Sequence, residues 1–104
     1  MHLPALQIPA DHPAFAGHFP GQPLLPGVAL LAEVLEAVLA DAALARRLGP
    51  APRLANVKFL APVRPGAELA IHLDATGSGL RFELRDRSQG DRLAASGQFE
   101  GAAA

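Results

Sequence analysis

The stretch Gly17-His18-Phe19-Pro20-Gly21-Gln22-Pro23-Leu24-Leu25-Pro26-Gly27, which runs into an apolar segment from Val28, decides how the rest of the chain is read. Three prolines and three glycines in eleven residues specify an ordered loop. Proline fixes φ and removes a donor, while glycine lets backbone approach a neighbour closely. The loop holds one histidine. The helix predicted from about Val28 begins at a Pro-Gly step. Its first N–H groups therefore have no intrahelical partner and carry the positive end of the helix dipole. An imidazole near free N–H donors is suited to polarising a carbonyl and moving a proton.

Outward from this stretch, the pattern predicts one helix from Val28 to about Leu48. At about 100° per residue, Glu33, Glu36, Asp41 and Arg47 gather on one arc while leucines and valines spread over the rest. Such a helix should be nearly surrounded by protein. Arg46 and Arg47 suit its C-terminal turn, and Gly49-Pro50 ends it. Before the loop, Leu3 to Ile8 reads as an edge strand bounded by Pro4 and Pro9. After the helix, Arg53 to Val63, Ala67 to Ala75, Leu80 to Arg85 and Arg92 to Phe99 read as strands. Turns are expected at Pro65-Gly66, Thr76-Gly77-Ser78-Gly79 and Ser88-Gln89-Gly90-Asp91. The alternation in Leu80-Arg81-Phe82-Glu83-Leu84-Arg85 is that of a half-buried antiparallel strand. One strand, one helix and a four-strand meander make an α+β domain of about five strands, and the whole of 1–104 reads as that single domain.

Composition narrows the function. Half the residues are hydrophobic, 18% are charged, and the formal net charge is −1. A chain so balanced has no basic field for nucleic acid. No apolar run reaches the ~18–20 residues of a membrane span, because Glu33, Glu36 and Asp41 interrupt the longest. With no cysteine, there is no disulfide, thiolate site or cysteine nucleophile. Together with an N-terminus unlike a signal peptide, this suggests a cytoplasmic location. No serine sits in a nucleophile elbow and no glycine-rich phosphate loop follows a strand. His12 and His18 lack the further ligands a metal centre needs, so no metal is expected. His12 is expected to hydrogen-bond its own turn, and His72, alternating with Ile71 and Leu73, to lie on the outer sheet face.

The sequence GHFPGQPLLPGV from Gly17 to Val28, followed by an apolar helix, resembles the signature of the hot-dog-fold 3-hydroxyacyl-(acyl carrier protein) dehydratases of the FabZ/FabA type. Asp11-His12-Pro13-Ala14-Phe15-Ala16 before it is most similar to the short ApeI-like forms of aryl-polyene pathways. Val57-Lys58-Phe59-Leu60-Ala61-Pro62-Val63-Arg64-Pro65-Gly66 is similar to the strand that follows the central helix in that family. The resemblance implies a sheet wrapped around a long central helix. It also implies a dimer formed with a second copy or another hot-dog protein, and an acyl carrier protein as partner. The phosphopantetheine arm would come with the substrate, with no other cofactor.

Residue by residue, the resemblance gives His18 the C2 proton of a (3R)-3-hydroxyacyl thioester and the Gly27 amide the thioester carbonyl. Phe19, Pro26, Val28, Leu31 and Phe59 would line the acyl slot. The family's second catalytic group, a Glu or Asp fourteen residues after the histidine, falls here on Ala32. Alanine donates no proton. Glu33 is turned about 100° away, toward solvent or a partner. Glu36 lies one turn beyond Ala32, about 6 Å along nearly the same face, and is the candidate replacement. The leading expectation is dehydration to the trans-2-enoyl thioester. A second is a weakened acyl-binding subunit that needs a hot-dog partner to supply the carboxylate. A third, a hot-dog thioesterase, sits poorly with the histidine motif.

Overall fold

The computed structural model describes residues 3–15 and 24–101. Its elements, in order, are strand β1 (Leu6–Gln7), a 3-10 turn (Pro13–Phe15), helices α1 (Gly27–Leu39) and α2 (Ala42–Leu48), and strand β2 (Arg53–Phe59). Strands β3 (Glu68–Thr76) and β4 (Gly79–Asp86), a second 3-10 turn (Arg87–Gln89) and strand β5 (Arg92–Glu100) complete the chain. The fold is α+β, as expected. The five strands form one antiparallel sheet in the order β1-β3-β4-β5-β2.

Several expectations need correction. The predicted single helix is two, broken at Ala40–Asp41. Asp41 is extended (φ −87°, ψ 117°), and its Oδ1 accepts the N–H groups of Ala43 and Leu44 at 3.0 and 3.1 Å. An aspartate that can cap a helix competes with continuing one. The four-strand meander is a three-strand meander, β3-β4-β5, with β2 returning to the far side of β5. Strand β2 also stops at Phe59, short of Pro62. Strand β1 does lie at an edge, and is shorter than the apolar segment that announced it.

Alternation along the strands sends one set of side chains inward. Leu69, Ile71, Leu73, Leu80, Phe82, Leu84, Ala95 and Phe99 are buried and meet Leu30, Val34, Val38, Leu44 and Leu48 from the helices. Phe82 and Phe99 stack with ring centroids 4.9 Å apart. Gly97, opposite Phe82, makes room for that ring, since an added Cβ would stand 2.8 Å from its Cζ. Arg47 fastens α2 to the β3–β4 hairpin, donating to the carbonyls of Thr76, Gly77 and Gly79 at 2.9 to 3.0 Å. The opposite edge is irregular. Asn56 has φ 54°, and β2 slips register against β5 between Ala55 and Lys58, a β-bulge on an edge strand.

Among the described residues, α1 is not surrounded. Leu30, Val34 and Val38 are buried at four-residue spacing. Val28, Ala32 and Glu36, offset by two positions and therefore on the opposite face, are exposed. Val28 is 82% exposed, and Phe59 and Leu60 are each about half exposed. No helix here is long and apolar enough to cross a membrane among the described residues.

Candidate active site

The candidate site begins where α1 begins. Leu25 N–H donates to Val63 C=O at 2.8 Å, which ties the chain entering the helix to the segment leaving β2. Pro26 is the N-cap, with φ −59° and ψ 145°, and proline has no side-chain acceptor with which to cap. The first helical bond runs from Leu30 N–H to Pro26 C=O at 3.0 Å. Among the described residues, the Gly27 amide ahead of it has no partner, so a donor and the positive end of the helix dipole are left available.

Phe59 stands on this helix start. A Cβ added at Gly27 would lie 2.5 Å from Phe59 Cζ and 2.8 Å from Cε2, so the ring occupies the space that any side chain at position 27 would need. Glycine lets the ring approach this closely, and a side chain at position 27 would have to push the ring aside. The sequence placed Phe59 and Gly27 together only through the family resemblance; the structure brings them into contact. Leu31 and Pro26 are half-buried nearby in sequence, and Val28 is open to solvent. His18 and Phe19, the central residues of the expected site, lie outside the described residues.

The carboxylates separate clearly. Glu36 is exposed on the same face as Ala32. Glu33, expected toward solvent or a partner, is partly exposed and also meets a residue of its own chain. Its Oε1 is 2.8 Å from His12 Nε2, and the two side chains are 31% and 15% exposed. The rotation that takes Glu33 off the Ala32 face points it at its own N-terminal segment. His12 also accepts Ala14 N–H on Nδ1 at 3.0 Å, the local turn bond expected for it. The pairing with Glu33 was missed because the partners are 21 positions apart on separate elements. His72 is half-buried on β3, in register with Glu83.

An apolar groove of about 420 Å³ lies elsewhere, between Leu3, Pro4, Ala5 and Leu6 on one side and Ala37, Ala40 and Asp41 on the other. Ten residues of helix place Ala37 about 15 Å from Gly27. The groove is separate from the helix start.

A helix on one face of a five-strand antiparallel sheet, with its N-terminus beside the strand that follows it, is a hot-dog architecture, and solved structures share it. An uncharacterised protein from Erwinia carotovora subsp. atroseptica superposes with a TM-score of 0.72 at 34% identity, covering 92% of this chain and 77% of that one. The dehydratase heterocomplex ApeI:P from Xenorhabdus doucetiae gives a TM-score of 0.70 at 29% identity, covering 92% and 81%. A family model described as ApeI-like, ApeI dehydratase, matches residues 2–98, and the chain belongs to that family. It is also similar to 3-hydroxyacyl-(acyl-carrier-protein) dehydratases FabZ. The Geobacter metallireducens enzyme is 37% identical over 73 residues, 64% of this chain and 49% of the relative. The Agrobacterium fabrum enzyme is 39% identical over 96 residues, 84% and 61%. The chain spans about half the length of most curated relatives it matches.

Proposed function

We propose that the chain builds a dehydratase site that converts a (3R)-3-hydroxyacyl thioester, delivered on acyl carrier protein, to the trans-2-enoyl thioester. His18 takes the C2 proton. The C2–H electron pair forms the C2–C3 double bond by way of an enolate-like state, whose charge on the thioester oxygen is met by the Gly27 N–H and the α1 dipole. The C3–O bond breaks, and the hydroxyl leaves as water on receiving a proton from a carboxyl group. Two protons move and no electrons are gained or lost, so the step calls on no redox cofactor. The acyl chain would lie against Phe59, with Phe19, Pro26, Val28 and Leu31 around it. Such a slot is apolar with a few aimed polar groups.

The observation that carries this reading is the uncapped helix start with Phe59 packed on Gly27, in a chain whose family is ApeI-like dehydratase. The acid is the open part. Glu36 is the nearest carboxylate on the face that holds Ala32, and we assign it the proton donor's role. The outward stripe Val28–Ala32–Glu36, with Phe59 and Leu60 also exposed, fits a site completed across a protomer interface.

A second reading has its own support. Ala32 occupies the family's acid position, and a structural relative is a heterocomplex of dehydratases. In that reading this chain contributes His18 and Gly27, while another hot-dog protein contributes the carboxylate. Enoyl absorbance from purified protein supplied with 3-hydroxyacyl thioesters separates the two. Turnover by the chain alone supports Glu36. Turnover that appears only with a second hot-dog protein supports the heterocomplex. None in either case defeats the dehydratase assignment.

A further inference from the structure

The His12–Glu33 contact is unused by the chemistry above, yet both of its ends adjoin that chemistry. Glu33 directly follows Ala32 on α1. His12 opens the 3-10 turn, donating its N–H to Pro9 C=O at 3.1 Å and accepting Phe15 N–H on its C=O at 3.0 Å. The Phe15 ring meets the imidazole edge-on at 6.1 Å. His18 is three residues beyond Phe15 in the sequence.

The ring's hydrogen bonds define its tautomer. Nδ1 accepts Ala14 N–H at 3.0 Å, so it carries no hydrogen. The one ring hydrogen of a neutral imidazole is then on Nε2, 2.8 Å from Glu33 Oε1. One end of the imidazole thus reads its own turn and the other reads the helix. Upstream, the chain is held to the sheet at Ile8, whose N–H donates to Ala67 C=O at 2.9 Å. Downstream it is held at Leu25. Between these anchors, among the described residues, His12 to Glu33 is the side-chain hydrogen bond that joins the segment to the rest of the fold.

We propose that His12 and Glu33 are a positioning pair for the dehydratase site, with an Nε2–H imidazole fixing the 3-10 turn that precedes His18 in sequence against α1. The proposal rests on the function proposed above. Neither residue is a catalytic group. Their effect is on the placement of a base that must meet a C2 proton, where a 1 Å error costs about 10²-fold. A glutamine at 33 retains a carbonyl acceptor for Nε2–H but cannot exchange a proton. An alanine retains neither.

The test uses the full chain, in whichever assembly the wild type turns over, with Glu33→Ala, Glu33→Gln and His12→Phe, each checked for folding by circular dichroism. Glu33→Ala and His12→Phe are expected to lose about 10²-fold in kcat with KM unchanged, and Glu33→Gln to stay near wild type. Side-chain ¹⁵N spectra are expected to show His12 as the Nε2–H tautomer in wild type and Glu33→Gln. Wild-type kcat in a folded Glu33→Ala overturns the proposal. Equal loss in Glu33→Gln and Glu33→Ala overturns it too, because the carboxylate's proton would then matter. An Nδ1–H tautomer also overturns it. A wild type inert alone and with a partner defeats the reaction itself, and the tautomer would then report only a structural tie. An active wild type indifferent to Glu33→Ala defeats the pair alone.

Discussion

The two faces of α1 follow different rules. On one, Leu30, Val34 and Val38 are 3%, 0% and 0% exposed, and their partners are in this chain. On the other, Val28, Ala32 and Glu36 are exposed, and Phe59 sits against Gly27 at the start of the helix. Water-facing sides of helices in small domains are usually polar, and this one carries valine and alanine beside an exposed phenylalanine and leucine. The inner face is complete within one protomer. The outer face has the composition of a surface that a second protomer covers, and it is the face on which the family places its acid. The difference teaches that the core packing and the proposed site fall on opposite faces of a single helix.

The largest effects should come from the outer face and its loop. His18→Ala is expected to remove dehydration while thermal unfolding stays close to wild type; undiminished turnover in a folded variant would end the assignment of His18. General acid catalysis contributes about 10²–10⁴-fold. If Glu36 donates the proton, Glu36→Gln loses a factor of that order and Ala32→Glu adds little. If a partner donates it, Ala32→Glu raises the rate of the chain alone and Glu36→Gln is silent. Steady-state rates of these two variants therefore respond in opposite patterns.

Next in size is the inner face. Leu30→Ala should cost about 2–5 kcal/mol, the range for truncating a buried leucine. Val28→Lys, two positions along, should change protomer stability by about 0.5 kcal/mol or less while shifting a dimer toward monomer in sedimentation. Denaturation is to be compared at a concentration where both chains are monomeric. Equal destabilisation by the two changes would erase the distinction between the faces. A wild type that stays monomeric at micromolar concentration would count against a protomer-covered outer face.

Much of this was legible in the chain. The alternation in Leu80–Arg85 marks β4, and the Pro26-Gly27 step marks the start of α1 within one residue. The position of β2 was not legible, because its apolar pattern does not name its partner strand, and the structure pairs it with β5. The contact of Glu33 with His12 was missed for a related reason. Helical phase says which way a side chain points from the axis, and the Ala32 face does open outward as that phase requires. It does not say what another segment will bring to meet the neighbouring face, and here it brings His12. The Phe59–Gly27 contact likewise joins residues 32 positions apart. Only the family resemblance suggested it.

The smallest effect tests the break that phase alone concealed. Periodicity carries one helix through residue 41, and the structure stops α1 at Leu39 and restarts at Ala42. If the Asp41 cap is responsible, Asp41→Ala strips the Ala43 and Leu44 N–H groups of their acceptor and should destabilise by about 1 kcal/mol. For a domain of this size that is a fall in Tm of about 4–8 °C. Asp41→Asn, which can still cap, should remain near wild type. The opposing expectation has the opposite sign. Alanine is the strongest helix former, so if residues 40 and 41 are held out of a helix against their preference, Asp41→Ala would let α1 and α2 join, raising both helical ellipticity and Tm. The cap should prevail, because Asp41 also accepts Ala45 N–H on its carbonyl at 2.9 Å and starts a helix whose Arg47 grips the β3–β4 hairpin. A continuous helix would redirect α2 and lose those three bonds, a larger sacrifice than the propensity difference of a single residue.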